Sequence, residues 1–172
     1  MGFLDETSPQ TTSNTVRLWS FTHPRLVKNT TKLRANTLGF YALNGESHIN
    51  FKTDSRAESF CEFFMEIREK NPERKILVIL DNFASHKAKK VQKTAEDLDI
   101  TLLYLPPYSP NLNPIEFIWK TLKRRISITF ILTKEELAEL ILTTFNELSK
   151  SLSYALNWIK KFLNNKFNKL CN

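Results

Sequence analysis

The run Ile-Leu-Val-Ile-Leu at residues 76–80 restricts the fold of this chain more than any other segment. Five aliphatic residues in succession, several of them β-branched, are typical of a strand that is buried on both faces of a sheet. The run ends directly in Asp81. A carboxylate at the C-terminal end of a central strand lies where α/β proteins usually build their active sites. The segment therefore predicts an α/β fold, with Asp81 as a candidate functional residue.

The remaining pattern predicts a sheet of mixed direction, in which three antiparallel strands precede alternating helices and strands. Asn44-Gly45 is a hairpin turn signal between two of the early strands. The predicted strands cover residues 2–6, 15–22, 36–43, 47–52, 75–81 and 100–105, and the predicted helices cover 55–70 and 85–98. One more helix is expected to begin near residue 114.

The segment from Leu105 to Glu116, LPPYSPNLNPIE, delivers a second carboxylate. Its prolines fix φ and keep their neighbours extended, so the loop is stiff. Asn113 is a suitable N-cap, Pro114 suits the first helical position, and Glu116 then falls in the first turn, at the positive end of the helix dipole. Asn-x-x-Glu also resembles a capping box, and capping alone would explain an acid at this position.

A third acid stands near the N-terminus. Gly2-Phe3-Leu4 is a short apolar stretch closed by Asp5, and it is followed by turn-forming residues. The pattern predicts a strand with a carboxylate at its end. An acid near a terminus is, however, most often part of the solvated surface, so the pattern alone leaves both interpretations open.

Three groups of residues together resemble a known family. They are Asp5-Glu6 after an opening strand, Asp81-Asn82 followed by His86, and the run from Leu105 to Trp119. The chain resembles the catalytic domain of DDE-superfamily transposases of the mariner-like insertion-sequence group. Thirty-four residues separate Asp81 from Glu116, which is the interval typical of that family.

The resemblance extends from about Phe3 to Arg125, because Trp19 and the region near Gly39 also fit the family pattern. It implies an RNase H-like fold, a mixed sheet of three antiparallel and then parallel strands flanked by helices. It also implies a DNA transposase that hydrolyses phosphodiester bonds at the ends of its element and transfers the strands to target DNA.

Under this resemblance the catalytic residues and metal ligands are Asp5, Asp81 and Glu116, with Asn82 and His86 beside them. His86 is equally well explained as a residue that packs against or hydrogen-bonds the first turn of the next helix. Converging carboxylates repel one another, and the free-energy cost of keeping all of them ionised is low only when cations lie between them. The expected cofactors are two Mg²⁺ ions about 3.5–4 Å apart, for which Mn²⁺ can substitute.

The charge distribution is compatible with a polyanion such as DNA as the partner, although charge runs are usually only solvated faces. The net charge is +7, and two basic clusters directly follow the acids at 81 and 116. Helical spacing places Lys120 and Lys123 on the same face as Glu116, opposite the apolar stripe of that helix. The predicted DNA-contacting residues are Lys87, Lys120, Lys123, Arg124 and Arg125.

We expect a single catalytic domain over residues 1–172, with the core at 1–127 and C-terminal helices at 133–170. Thr133-x-x-Glu136 predicts the start of one such helix. The last helix should bury Leu152, Leu156, Ile159 and Leu163 along one face, while its aromatic residues Trp158, Phe162 and Phe167 leave room for a dimer contact.

The cysteines, Cys61 and Cys171, have no metal-ligand spacing, and no apolar run reaches the length of a membrane span. The expected location is the cytoplasm, in association with the nucleoid. The helix-turn-helix region of full-length family members is missing, which a split gene, a truncated copy or a shortened chain would each explain. A separate chain carrying that module is therefore a candidate partner, and a homodimer or higher assembly on DNA is expected.

Two other functions fit the sequence. The first is a nuclease or resolvase on the same fold that does not transfer strands. The second is a non-catalytic DNA-binding or oligomerisation module derived from a transposase. The presence of all three acids argues against the second, since binding alone would not need them.

Overall fold

The computed structural model describes residues 1–12, 21–23, 25, 27, 31–54 and 56–163. Its sheet has five strands in the spatial order β3-β2-β1-β4-β5. The strands are β1 (Gly2–Thr7), β2 (Thr37–Ala42), β3 (His48–Phe51), β4 (Ile76–Leu80) and β5 (Ile100–Tyr104). The helices are α1 (Ala57–Lys70), α2 (Lys89–Asp97), α3 (Ile115–Ile128), α4 (Lys134–Leu148) and α5 (Leu156–Phe162).

Strand direction changes at β1, which pairs antiparallel with β2 and parallel with β4. The pairs β2·β3 and β4·β5 are antiparallel and parallel, respectively. The predicted mixed sheet is therefore confirmed, and the apolar run 76–80 is a strand with a neighbour on each side. The strand predicted at 15–22, with Trp19, falls almost entirely outside the described residues.

Side chains alternate between two hydrophobic cores, one on each face of the sheet. Phe3 and Ile79 point into the core that α3 and α4 cover, whereas Leu4 and Val78 point into the core that α1 and α2 cover. Burying a large apolar side chain contributes roughly 1.5–3 kcal/mol. Since the β1 residues Phe3 and Leu4 are both fully buried, the central strands are held from both faces.

Two elements differ from the sequence-based expectation. The helix expected at 85–98 is divided, because the backbone turns away from helical geometry at Ala88 (ψ 136°). A 3₁₀ turn at Ser85–Lys87 precedes α2. In addition, β1 extends one residue past its predicted end at residue 6, because its ladder with β2 continues to the pair Thr7 and Thr37.

The C-terminal helices pack on the α3 side of the sheet. Thr133 caps α4 by accepting the N–H of Glu136, as predicted, and Leu137, Ile141 and Phe145 are buried. The stripe predicted for the last helix is wrong at Leu152 and Leu156, which are 40% and 47% exposed. The chain bends through a 3₁₀ turn at Leu152–Tyr154 before α5.

After this bend, α5 meets the core through Trp158 and Ile159, so the predicted stripe is confirmed at Ile159. Ala155 is fully buried, and Trp158 packs edge-on against Phe3 with ring centroids 4.9 Å apart. Phe167 and Cys171 lie outside the described residues, and Cys61 is a buried free thiol. No helix in the described part of the chain combines the length and apolar character needed to cross a membrane.

This packing predicts that two leucines of the C-terminal helices differ strongly in importance. Leu137→Ala should lower the free energy of unfolding by about 2–5 kcal/mol, because it leaves a cavity in the core. Leu156→Ala should change it by less than about 0.5 kcal/mol, because that side chain is largely in solvent. Urea unfolding of both variants measures the difference, and equal losses would contradict the described packing.

Candidate active site

Strand register brings two of the predicted acids to the same region of the sheet. Gly2 pairs with Val78 and Phe3 with Ile79. Continuing that register along β1 places Asp5 level with Asp81, the first residue after β4. Asp5 lies on the face that α3 covers, and only 8% of the residue's surface is exposed. Asp81 is more accessible, with 53% of its side-chain surface exposed.

The third acid, Glu116, is carried by the second residue of α3. The preceding loop is anchored where the backbone N–H of Leu105 donates to the carbonyl of Leu80 at 2.8 Å. The loop then passes through Tyr108, whose φ of 57° lies in the left-handed region that a bulky residue rarely adopts. The prolines on either side restrict the chain to this path.

Asn113 does not cap α3, which corrects the expected capping box. Its backbone is extended at the helix start, but its side chain is buried and donates from Nδ2 to the carbonyl of Leu4 at 3.2 Å. That carbonyl directly precedes Asp5. The bond therefore ties the beginning of α3 to β1 and fixes the position of Glu116 relative to Asp5.

The three predicted acids line one cavity of about 470 Å³. Its walls are formed by Asp5 of β1, by Asp81 and the residues that follow it after β4, and by the proline-rich loop. The lining residues are Asp5, Asp81, Asn82, Phe83, Leu105, Pro106, Pro107, Tyr108, Ser109, Pro110, Asn113 and Glu116. The structure thus brings together residues that are separated by more than a hundred positions along the chain.

Burial and like charge act together on two of these acids. Burial raises the pKa of Asp5 well above its usual range, and the charges of Glu116 and Asp81 raise it further. The pKa of Glu116 is also raised, chiefly by burial and additionally by Asp81, while Lys123 opposes the shift. These mutual effects indicate that the three carboxylates form one electrostatic unit.

Asp81 behaves differently because it has a histidine partner. The Nδ1 atom of His86 lies 2.6 Å from Oδ1 of Asp81, and this hydrogen bond is the main reason that the pKa of Asp81 is lowered. His86 lies in the 3₁₀ turn before α2, and its ring meets Phe60 edge-on at 4.3 Å. Within the described residues Nε2 has no hydrogen-bond partner.

These contacts agree with features of both interpretations of His86 that the sequence left open. The residue is buried and packed, but its polar atom is directed at a candidate metal ligand rather than only at its own turn. His86 is therefore placed to orient the Asp81 carboxylate.

Trp119 is a site residue that the sequence analysis did not single out. Its indole Nε1 donates to Oδ2 of Asp5 at 3.0 Å, and the ring is fully buried. A tryptophan in the apolar stripe of a helix usually indicates core packing. Its position one turn after Glu116 was the available signal, since it places the indole on the same helix close to the acids.

The basic residues predicted to contact DNA are in different situations. Lys120, Arg124 and Lys87 are exposed or partly exposed, and Lys123 acts electrostatically on Glu116. Arg125 instead forms a two-pronged ion pair with Glu147 of α4, at 2.5 and 2.7 Å. Its guanidinium therefore joins two helices.

The donor atoms around the cavity are oxygens, the ligands that Mg²⁺ and Mn²⁺ prefer. Besides the carboxylates, Oδ1 of Asn82 and Oδ1 of Asn113 are buried and have no hydrogen-bond partner among the described residues. In the same part of the chain, no three His, Cys, Asp or Glu side chains are close enough together to hold a metal ion in this arrangement. The donor chemistry fits a divalent cation, and the carboxylates would have to draw together around it.

Comparison with protein families now identifies the chain. A family model described as DDE superfamily endonuclease matches residues 1–138. The chain belongs to this DDE superfamily endonuclease family. The resemblance inferred from the sequence motifs is confirmed, and the match extends past Arg125 into α4. Comparison with curated protein sequences gives no significant match.

Several solved structures of Mos1 transposase share the fold of this DDE endonuclease. The Mos1 mariner paired-end complex with Mn matches with a TM-score of 0.69 at 18% identity, over 93% of this chain and 51% of the Mos1 chain. The Mos1 catalytic domain with Raltegravir and Mn matches with a TM-score of 0.64 at 16% identity, over 92% and 76%. The predicted RNase H-like fold is therefore confirmed, and this chain spans about half the length of the Mos1 chains in the paired-end complexes.

The opposite pKa shifts predict opposite effects on stability in the absence of metal. An acid whose pKa is raised by folding destabilises the folded state at pH values above the pKa that it has in the unfolded chain. Asp5 is such an acid, so Asp5→Asn should raise the melting temperature at pH 7. An acid whose pKa is lowered by folding stabilises the folded state at pH values above the pKa that it has in the unfolded chain. Asp81 is such an acid, so Asp81→Asn should lower the melting temperature at pH 7.

Thermal unfolding of both variants at pH 7 and at pH 4 measures these effects. The two differences from wild type should shrink at the lower pH, because the unfolded-state carboxyls become protonated there. A lower melting temperature for Asp5→Asn than for wild type at pH 7 would contradict the electrostatic description of the site.

Proposed function

We propose that this chain is the catalytic domain of a DNA transposase, which hydrolyses phosphodiester bonds at element ends and joins the resulting 3′ ends to target DNA. The observation that carries the proposal is the convergence of Asp5, Asp81 and Glu116 on one cavity, where their charges act on one another. Membership of the DDE superfamily endonucleases supports the cleavage chemistry. The likeness in fold to Mos1, which is known in paired-end complexes, supports transposon ends as the substrate.

Asp5, Asp81 and Glu116 are proposed as ligands of divalent cations, two Mg²⁺ ions with Mn²⁺ as a substitute. Mos1 structures with Mn and with Mg support the choice of metal. When bound, such ions activate a water or 3′-hydroxyl nucleophile and stabilise the leaving oxygen of an in-line displacement at phosphorus. The raised pKa values of Asp5 and Glu116 also support the assignment, since a cation between these carboxylates removes their repulsion.

The protein itself supplies orientation. Trp119 and His86 each hold one carboxylate by a hydrogen bond, at 3.0 and 2.6 Å. Asn113 fixes the start of α3 to β1. The proline-rich loop forms a stiff wall of the cavity, while the carboxylates would still have to draw together around a bound cation.

DNA contact is proposed for the exposed side of α3 and for the turn before α2. Lys120, Lys123 and Arg124 follow Glu116 on α3, and Lys87 follows Asp81. Positive side chains beside an acidic centre neutralise the phosphates that flank the reacting one. We also propose that the protein acts as an assembly on DNA, since Mos1 is found in paired-end complexes.

The first test is removal of each carboxylate without a change in side-chain size. Asp5→Asn, Asp81→Asn and Glu116→Gln should each reduce Mg²⁺-dependent nicking of supercoiled DNA by about 10³-fold or more, because loss of a metal ligand costs several kcal/mol of transition-state stabilisation. Glu96→Gln, an exposed acid on α2, is the matched control and should keep the wild-type rate. Near wild-type nicking by any of the three would remove that residue from the site.

Joining of a duplex with a free 3′-hydroxyl to a plasmid separates transposase from nuclease. The proposal expects both cleavage and joining, and both should stop in Glu116→Gln. Cleavage without joining, at any Mg²⁺ or Mn²⁺ concentration, would favour the nuclease or resolvase interpretation. If a folded protein that binds DNA shows neither cleavage nor joining, that result would favour the non-catalytic binding module.

Salt dependence tests the DNA-facing side of α3. Replacing Lys120 and Lys123 with Ala should reduce the slope of log K against log salt by about 2, because each lost phosphate contact contributes roughly 0.9 to the slope. Replacing Lys160 and Lys161 on α5 with Ala is the control and should leave the slope unchanged. An unchanged slope in the α3 variant would show that these lysines do not contact phosphates.

A further inference from the structure

Trp119 is a buried core residue that hydrogen-bonds to the carboxylate of Asp5. The indole is fully buried on the α3 face of the sheet, and its Nε1 donates to Oδ2 of Asp5 at 3.0 Å. The indole N–H can only donate, so its partner must be an acceptor such as a carboxylate. This bond holds one oxygen of the Asp5 carboxylate against the indole.

Gly39 provides the space in which the indole reaches Asp5. Gly39 is the cross-strand neighbour of Asp5 in the β1·β2 ladder. A Cβ at this position would lie 2.5 Å from Cη2 and 2.6 Å from Cζ2 of Trp119. Any larger residue would therefore force the ring away from the strand.

Helix α4 holds the other side of the ring. Phe145 stacks on Trp119 with centroids 5.5 Å apart and an angle of 28° between the ring planes. The ion pair between Arg125 and Glu147 also joins α3 to α4. The indole thus lies between strand β2 on one side and helix α4 on the other.

We infer that Trp119 is a positioning residue for the metal site, and that Gly39 and Phe145 set the position of its indole. The inference rests on the proposed function, because it takes Asp5 as a metal ligand. With Oδ2 held by the indole, the carboxylate presents its remaining lone pairs to the cavity in one orientation. Hydrogen-bond partners of metal ligands typically change metal affinity or activity by about 10–100-fold when they are removed.

Trp119→Phe tests this role, because it keeps an aromatic ring in the core and removes the N–H donor together with part of the indole, a loss of ring volume that the Trp158→Phe control shares. Mn²⁺ binding by calorimetry at constant pH should show a Kd about 10–100-fold higher than that of wild type. Trp158→Phe is the matched control, since Trp158 packs on Phe3, and its Kd should equal the wild-type value. An unchanged Kd for Trp119→Phe would overturn the inference.

Asp5→Asn separates the inference from the proposed function. If Asp5→Asn abolishes Mn²⁺ binding and Trp119→Phe leaves it unchanged, only the positioning role is overturned. If Mn²⁺ binding to the wild type is absent, or is insensitive to Asp5→Asn, the metal-ligand assignment fails and the positioning role fails with it.

A second measurement uses the wild-type chain and so does not depend on the stability of Trp119→Phe. The sequence has three tryptophans, Trp19, Trp119 and Trp158. Their indole N–H resonances can be assigned with Trp19→Phe and Trp158→Phe, which leaves Trp119 by elimination. Addition of Mg²⁺ should shift the Trp119 N–H resonance more than the other two, and Asp5→Asn should suppress that shift. A Trp119 resonance that Mg²⁺ does not move would contradict the inference.

Discussion

The buried charge of Asp5 is the constraint around which the site is organised. A carboxylate that is 8% exposed in the central strand of the sheet loses most of its hydration, and such burial is unfavourable unless hydrogen bonds or opposite charges compensate. Trp119 supplies a hydrogen bond, but burial raises the pKa of Asp5 well above its usual range, and the charges of Glu116 and Asp81 raise it further. A structural role alone gives no reason to collect three acids in one cavity, whereas cation binding does.

The change of strand direction at β1 explains how distant residues meet. Because β1 is parallel to β4, the C-terminal parts of both strands point to the same edge, and Asp5 and Asp81 arrive there together. The proline-rich loop then returns the chain from β5 to the start of α3. Asn113 fastens that start to the carbonyl of Leu4, so the position of Glu116 follows from the position of β1.

The sequence was most informative where local pattern and tertiary role agree. The run 76–80 could be recognised as a buried strand because burial on both faces leaves a continuous apolar run. The apolar stripe of α3 could be recognised because burial on one face leaves a helical period. Asp5, Asp81 and Glu116 were reached through motif resemblance and through their positions after strands or in the first turn of a helix. All three line one cavity, and their role as metal ligands stays a proposal.

The sequence was least informative where a side chain has two possible partners. Asn113 was predicted to cap α3, but the carbonyl of Leu4 is buried beside it and takes its amide instead. Trp119 has the appearance of a core residue, and only the cross-strand pair of Asp5 with Gly39 reveals why an indole can reach the carboxylate. Leu152 and Leu156 fit a helical stripe, but the 3₁₀ turn at 152–154 rotates them toward solvent. Each case depends on contacts between segments that are far apart in the chain.

The central claim is that Asp5, Asp81 and Glu116 together bind divalent cations. The most direct test is anomalous X-ray diffraction from crystals of the full chain soaked with Mn²⁺ at neutral pH. The account predicts anomalous peaks inside the cavity, with carboxylate oxygens of all three residues as ligands. An ordered cavity without such a peak at saturating Mn²⁺, or Mn²⁺ bound only elsewhere on the chain, would contradict the account.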